Sequence, residues 1–320
     1  MKKTAMKLQN HEAKREELLA AFRSKLAQRP ELQQQEIKLS WSNWGFGIEP
    51  LEDTARRLHQ HGVKWIELHG NRYGNDLGYV AAEVLATLGR YDIQVAGICG
   101  MFGSENDLSS NSGLCRQHAI DYIRRQLDLC QAVGGSYLLV VPGAVGRPQA
   151  YDGSEFERSV ETLRLVADEF ARAGVRAAIE PIRSAEVSLV HTIADAMRYL
   201  AAVGHDAIQH INGDVYHMQS EEANVAQALL DAGDRLINLH LADSNRCALG
   251  KGSLDVDAIL MALYLLDFTD GPRFATPEPL GPGGDPYPAM FGKPDPALLD
   301  QLVADTVGYW RERERQIKAG

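Results

Sequence analysis

The chain has 320 residues, 45% apolar and 24% charged, with a formal net charge of −10. That composition describes a folded globular protein long enough to bury a sizeable core. The acidic balance argues against a partner held by its phosphates, so no nucleic acid is expected.

Lys2, Lys3 and Lys7 open the chain with no apolar stretch behind them, so no secretory leader is expected. Residues 1–36 are polar, with Leu18, Leu19, Phe22 and Leu26 at helical spacing. They predict a helical extension ending in a linker at Arg29-Pro30, either packed outside the fold, set against another subunit, or frayed. From residue 37 to 320 one unit recurs: a short apolar run closed by polar residues, then an amphipathic helix. The runs 37–42, 63–69, 93–99, 137–142, 175–180, 208–214, 236–241 and 274–280 predict eight strands. Phe156, Val160, Leu163, Ala167 and Phe170 trace one helical stripe, and Ile120, Ile123, Leu127 and Cys130 another. Gly62, Gly134, Gly174, Gly204 and Gly233 fall where helices should end. Eightfold alternation predicts an α/β fold, a (β/α)8 TIM barrel preceded by the N-terminal helical extension. The rival doubly wound sheet lacks its sign, a G-x-G-x-x-G after the first strand.

Four cysteines without a C-x-x-C pair fit reduced thiols in a cytoplasmic protein. No run approaches the length of a membrane span, so no membrane partner is expected.

Active sites of such barrels lie at the carboxyl ends of the strands. There, four consecutive runs each offer one metal-capable residue: Glu180, Asp214, His240 and Glu278. Any one alone reads best as a helix N-cap or a solvated loop residue. Four in register, about one strand–helix unit apart, point to one divalent cation. Three carboxylates with one imidazole suit Mn²⁺, Mg²⁺ or Co²⁺ better than a thiolate-loving metal.

The stretch Asp214-Val215-Tyr216-His217-Met218 with Glu221-Glu222, then His240 through Asn245-Arg246, then Gly250-Lys251-Gly252, resembles the xylose-isomerase-like sugar isomerase/epimerase superfamily. Within it the resemblance is to ketose 3-epimerases of the tagatose and psicose type. It spans about residues 37–280 and is specific in the second half. The resemblance implies that Glu180, Asp214, His240 and Glu278 bind Mn²⁺ or a similar ion, and that Glu180 and Glu278 also move the proton. It implies substrate contacts for Glu186, His217 and Arg246. A small-molecule sugar or keto-sugar is the expected substrate, and a homo-oligomer, dimer or tetramer, the expected assembly.

The implied reaction is proton abstraction beside a carbonyl through a metal-stabilised enediolate, with 3-epimerisation of a ketose or keto-sugar as the outcome. One carboxylate on each face of the planar intermediate satisfies epimerisation. Trp41, Trp44, Glu67, His69 and Cys99 close the first three strands. Trp41, Glu67 and His69 are candidates for substrate contact, against a structural role for Trp41 and His69. The Gly/Pro-rich loop 281–294 is expected over the barrel mouth. A larger substrate, a 3-keto-glycoside or an inosose, would divert the same chemistry to a lyase or dehydratase outcome. A phosphorylated sugar could be seated by Arg246, Gly250, Lys251 and Gly252. Rivals of other classes are an apurinic endonuclease and a non-catalytic, metal-dependent binding or partner protein.

Overall fold

Seven parallel strands carry the fold in the computed structural model, which describes residues 9–70, 78–281 and 295–319. They are β1 (Trp65–His69), β2 (Gln94–Cys99), β3 (Tyr137–Val140), β4 (Arg176–Ile179), β5 (His210–Asp214), β6 (Leu236–Leu241) and β7 (Phe274–Pro277). Neighbours in sequence are neighbours in the sheet, β1 through β7. The helices are α1 (Gln9–Gln28), α2 (Leu51–Gln60), α3 (Ala81–Gly89), α4 (Gly113–Ala132), α5 (Glu155–Arg164), α6 (Ala167–Ala173), α7 (Ile193–Val203), α8 (Val215–Glu221), α9 (Val225–Ala232), α10 (Val256–Leu265) and α11 (Pro296–Ala319).

The first predicted strand is not a regular member of the sheet. Residues 38–42 form the closing stave, joined to β7 through Leu39 and Ala275 and to β1 through Ser42 and Glu67. Its backbone groups alternate sides. Ser40 and Ser42 N–H donate to Ala275 and Pro277 carbonyls, while Trp41 N–H donates to Trp65. A short 3-10 turn at Asn43–Phe46 ends the stave, so only isolated bridges form on either side.

The predicted stripe from Phe156 to Phe170 is split between α5 and α6, yet Val160, Leu163, Ala167 and Phe170 still share the core. Gly174 and Gly204 cap α6 and α7 at φ of 65° and 61°, a left-handed conformation that costs glycine little.

The helical extension lies along α10. Leu18, Phe22 and Leu26 are buried, and the Phe22 ring meets Tyr264 at 5.7 Å. Lys25 Nζ donates to the Leu265 carbonyl at 2.8 Å, and Arg29 pairs with Asp267 at 2.6 Å. Among the described residues no helix is long and apolar enough to cross a membrane. The loop expected over the mouth falls, apart from Gly281, outside the described residues.

The barrel interior is layered. Trp65, Tyr137 and Phe274 fill its lower part, with ring centroids 5.9 Å apart for Trp65–Phe274 and 6.5 Å for Tyr137–Phe274. Gly97 makes room: a Cβ there would stand 2.6 Å from the Tyr137 ring. Above the aromatics comes a polar layer of Glu67, Asn212, Asn238 and Thr276, all fully buried. Strand periodicity then raises the next inward residues to the carboxyl end: Asp214 two beyond Asn212, His240 two beyond Asn238, Glu278 two beyond Thr276.

Candidate metal centre and catalytic cavity

Each ligand candidate is held from below or from the side. Asn212 Nδ2 donates to Glu180 Oε1 at 2.7 Å and Asn238 Nδ2 to Asn212 Oδ1 at 2.8 Å. Thr276 Oγ1 donates to Asn238 Oδ1 at 2.6 Å. Asp214 is both an N-cap and a ligand candidate. Its Oδ1 accepts from Tyr216 N–H at the start of α8, while Oδ2 lies 3.2 Å from His217 Nε2. The Trp44 indole N–H donates to Glu278 Oε2 at 2.5 Å.

His240 organises the centre. Its Nδ1 stands 3.2 Å from Glu180 Oε1 and 3.2 Å from Glu278 Oε2. Its Nε2 faces the Glu67 carboxylate at 3.0 and 3.1 Å. Ligand atoms of Glu180, Asp214 and His240 all fall within 4.8 Å of one another. Oxygen and nitrogen ligands bound at about 2.1 Å lie roughly 3–4 Å apart, so this donor set fits one dication. Carboxylate behind imidazole is the usual way a ligating histidine is oriented, and Glu67 occupies that place.

A second trio, Glu67, Cys99 and His240, is also close enough to share an ion. Its chemistry is poorer. Burial, then Glu67 and further carboxylates, pushes the Cys99 thiol well above its ordinary range. The Glu67 oxygens already accept from Tyr137 OH at 2.7 Å, Asn238 Nδ2 at 3.3 Å and His240. The trio of Glu180, Asp214 and His240 fits better.

The charges are finely set. Burial pushes Glu278 up to about 8, against the pull of His240 and with help from Asp214 and Glu180. Burial would lower His240, but Glu278 and Glu67 carry it well above the usual imidazole range. Burial would raise Glu67, but His240 outweighs it and holds the carboxylate below its ordinary value.

The centre opens into a cavity of about 380 Å³. Glu180, Asp214, His240, Glu278, Glu186, His217 and Arg246 all line it. Arg246 is buried, its guanidinium 4.2 Å from the Tyr216 ring centroid and 5.8 Å from that of Trp44. Its backbone takes a φ of 57°, and its carbonyl accepts from Leu280 and Gly281 N–H, which ties the loops after β6 and β7 together. Glu186 is held by Arg183 Nε at 2.5 Å, and Arg183 also donates to Tyr216 OH at 2.9 Å. His217 Nδ1 is buried with no hydrogen-bond partner.

Three sequence candidates are not brought to the cavity. Trp41 is buried against Phe46, with ring centroids at 5.8 Å. Glu67 lies beneath His240 with its carboxylate occupied, so it orients the imidazole rather than meeting a substrate. His69 lines a separate cleft with Glu49, Tyr79 and Glu83, and burial pushes its imidazole down to about 3. Nor do Gly250, Lys251 and Gly252 form a phosphate seat at the cavity. Lys251 pairs with Asp305 at 3.2 Å, and the glycines are required by packing against Tyr309 and Asp243. Sequence reasoning missed Asn212 and Asn238, whose signal was alternation: they and Thr276 stand two positions before Asp214, His240 and Glu278, whereas Ala178 breaks the pattern before Glu180 and Tyr137, on a strand without a ligand, carried no such signal. The wall built by Met101, Phe102 and Asn106 carried no spacing signal.

A parallel barrel with a cation-ready acidic cluster at its carboxyl end defines a class, the metal-capable TIM-barrel enzymes. Residues 55–292 match the family described as "Xylose isomerase-like TIM barrel". The 3-dehydro-D-guloside 4-epimerase of Escherichia coli (strain K12) is 30% identical over 237 residues, covering 71% of this chain and 87% of that protein. The L-ribulose 3-epimerase of Methylomonas sp. (strain DH-1) is 28% identical over 227 residues, 70% of this chain and 72% of that one. The crystal structure of an apo 3-keto-D-glucoside 4-epimerase from E. coli superposes with a TM-score of 0.68 at 26% identity, over 83% of this chain and 99% of that one. This chain belongs to the xylose isomerase-like TIM barrel family, and it is an enzyme of the sugar epimerase and isomerase class.

Proposed function

We propose that this enzyme epimerises a keto-sugar at the carbon beside its carbonyl, with Glu180 and Glu278 as the two proton-handling carboxylates. The observation that carries the reading is the convergence of Glu180 and Glu278 on His240 Nδ1, each at 3.2 Å, at the floor of one cavity. Glu180, Asp214, His240 and Glu278 would together hold a divalent cation, Mn²⁺ by preference for a mixed carboxylate–imidazole set. Once bound, such an ion supplies the Lewis acidity that makes a C–H beside a carbonyl acidic enough for a carboxylate.

The chain's own groups do the rest. Glu180 comes from the end of β4 and Glu278 from the end of β7, so they meet a substrate from different sides. One takes the proton from one face of the sugar carbon, and the other returns a proton to the opposite face. Trp44 steadies Glu278 through its indole N–H, and Asn212 steadies Glu180. Arg246 and Glu186, held by Tyr216 and Arg183, would grip substrate oxygens and fix the orientation. Residues 1–36 read as an extension docked on a catalytic barrel of residues 37–320, a division supported by the packing of α1 on α10.

Relatives acting on a keto-glycoside and on a free ketose support the keto-sugar class. The test is a panel of free ketoses and 3-keto-glycosides incubated with the Mn²⁺-loaded enzyme in D₂O. One epimer pair should appear, with deuterium entering a single carbon. Epimer formation without solvent deuterium, or no reaction across the panel, would overturn the reading.

A further inference from the structure

The amino ends of β4 to β7 carry a second cluster, which the proposed chemistry does not use. Arg176 and His210 open β4 and β5, and Arg235 and Arg273 immediately precede β6 and β7. Arg176 reaches across the barrel floor. Its Nη2 donates to Ser136 Oγ at 3.1 Å and to the Pro272 carbonyl, next to Arg273, at 2.7 Å. Arg235 Nη1 donates to the Gln209 carbonyl, next to His210, at 3.1 Å. Arg273 donates to the Leu266 carbonyl at 2.5 Å and pairs with Asp234, a side chain 96% exposed.

The counter-charge is missing. Among the described residues, the ion pairs of this floor comprise only Arg273–Asp234, and a pair so exposed is worth little. The bonds of Arg176 and Arg235 all run to carbonyl, hydroxyl or amide oxygens. His210 Nδ1 is buried without a partner. Burial, then Arg176, Arg235 and Arg273, drives that ring down to about 4, so it is neutral at pH 7 and offers no counter-charge to the three arginines near it. In a chain of net charge −10, three arginines with so little carboxylate between them are an unusual grouping.

We propose that this floor is a binding site for a small oxyanion of the phosphate class, gripped by Arg176, Arg235 and Arg273. Guanidinium groups are suited to this task because they offer planar, paired donors to such oxygens. All three side chains are only partly buried, so solvent reaches them. A bound anion would tie together the starts of the same staves whose far ends hold Glu180, Asp214, His240 and Glu278. The free anion and the phosphoryl group of a small metabolite present the same chemistry.

The test uses the full-length protein, with thermal unfolding and titration calorimetry in inorganic phosphate, in glycerol 3-phosphate and in chloride of matched ionic strength. The melting temperature should rise saturably by several degrees in phosphate over chloride, with one site per chain. A response to glycerol 3-phosphate at lower concentration than to phosphate would assign a phosphomonoester; the reverse would assign the free anion. Arg235→Gln and Arg273→Gln should each weaken the anion about tenfold or more while circular dichroism and Mn²⁺ binding stay unchanged. Arg176→Met should do the same, and if it fails to fold the other two variants decide. Equal melting temperatures in phosphate and chloride, or unchanged anion affinity in both Arg235→Gln and Arg273→Gln, would overturn the proposal.

Discussion

At their carboxyl ends β4 to β7 lead into Glu180, Asp214, His240 and Glu278; at their amino ends the same strands carry Arg176, His210, Arg235 and Arg273. One imidazole stands in each set, and the two are driven apart. Among carboxylates His240 sits well above its ordinary range, whereas burial and three arginines push His210 down to about 4. Burial disfavours charge on both rings, so the sign of the neighbours decides which one keeps its proton. Between the two ends lies the aromatic layer of Trp65, Tyr137 and Phe274, an apolar filling that sets the two groups of charge apart. One end of the barrel gathers carboxylates and an imidazole that could hold a cation, and the other carries positive charge with little to offset it.

The contrast can be broken most severely at the carboxylates. Glu180→Gln and Glu278→Gln should each lower turnover by about 10³-fold, read as deuterium incorporation from D₂O. Full activity in either variant would remove the two-carboxylate scheme. The next largest effect is on pH. A carboxyl whose value is raised to about 8 is neutral below it, and the carboxylates around His240 favour a proton on that imidazole as well. A cation must displace those protons, so Mn²⁺ affinity should fall as pH drops below about 8, roughly tenfold per unit for each proton released. Calorimetry in buffers of different ionisation heat measures the release; affinity constant from pH 6 to 8 would contradict it.

Smaller changes sharpen the comparison. Glu67→Gln keeps the size of the side chain but removes the charge behind His240, and Mn²⁺ affinity should drop about 10–100-fold. Unchanged affinity would mean that the imidazole needs no orienting carboxylate. Tyr137→Phe leaves the aromatic layer intact and deletes only the hydroxyl that donates to Glu67. It should cost roughly 1–3 kcal/mol in denaturant unfolding and only a few-fold in metal affinity. A larger metal effect would mean that the two ends are coupled through Tyr137.

Much of the upper end was legible in the sequence because strand ends advertise themselves. Glu180, Asp214, His240 and Glu278 each close an apolar run about one strand–helix unit after the last. The closing stave was harder to delimit: residues 37–42 look like the other runs, but the turn at Asn43–Phe46 cuts their pairing to isolated bridges. Glu67 and His69 looked like pocket residues because they end β1. Glu67 instead lies beneath His240, and His69 faces another cleft. A strand end gives position along the barrel axis but not depth behind a neighbour. The lower end was hidden for the opposite reason. Arginines at strand starts are ordinary in a sequence, and only the reach of Arg176 to Pro272 reveals that they share a floor.

The central claim is that four side chains from neighbouring staves share one dication. Anomalous diffraction from crystals grown with Mn²⁺ tests it directly. The account predicts one strong peak per chain, bonded to Glu180, Asp214, Nδ1 of His240 and Glu278. A peak bonded instead to Glu67 and Cys99, or none within the cavity at saturating Mn²⁺, would contradict it.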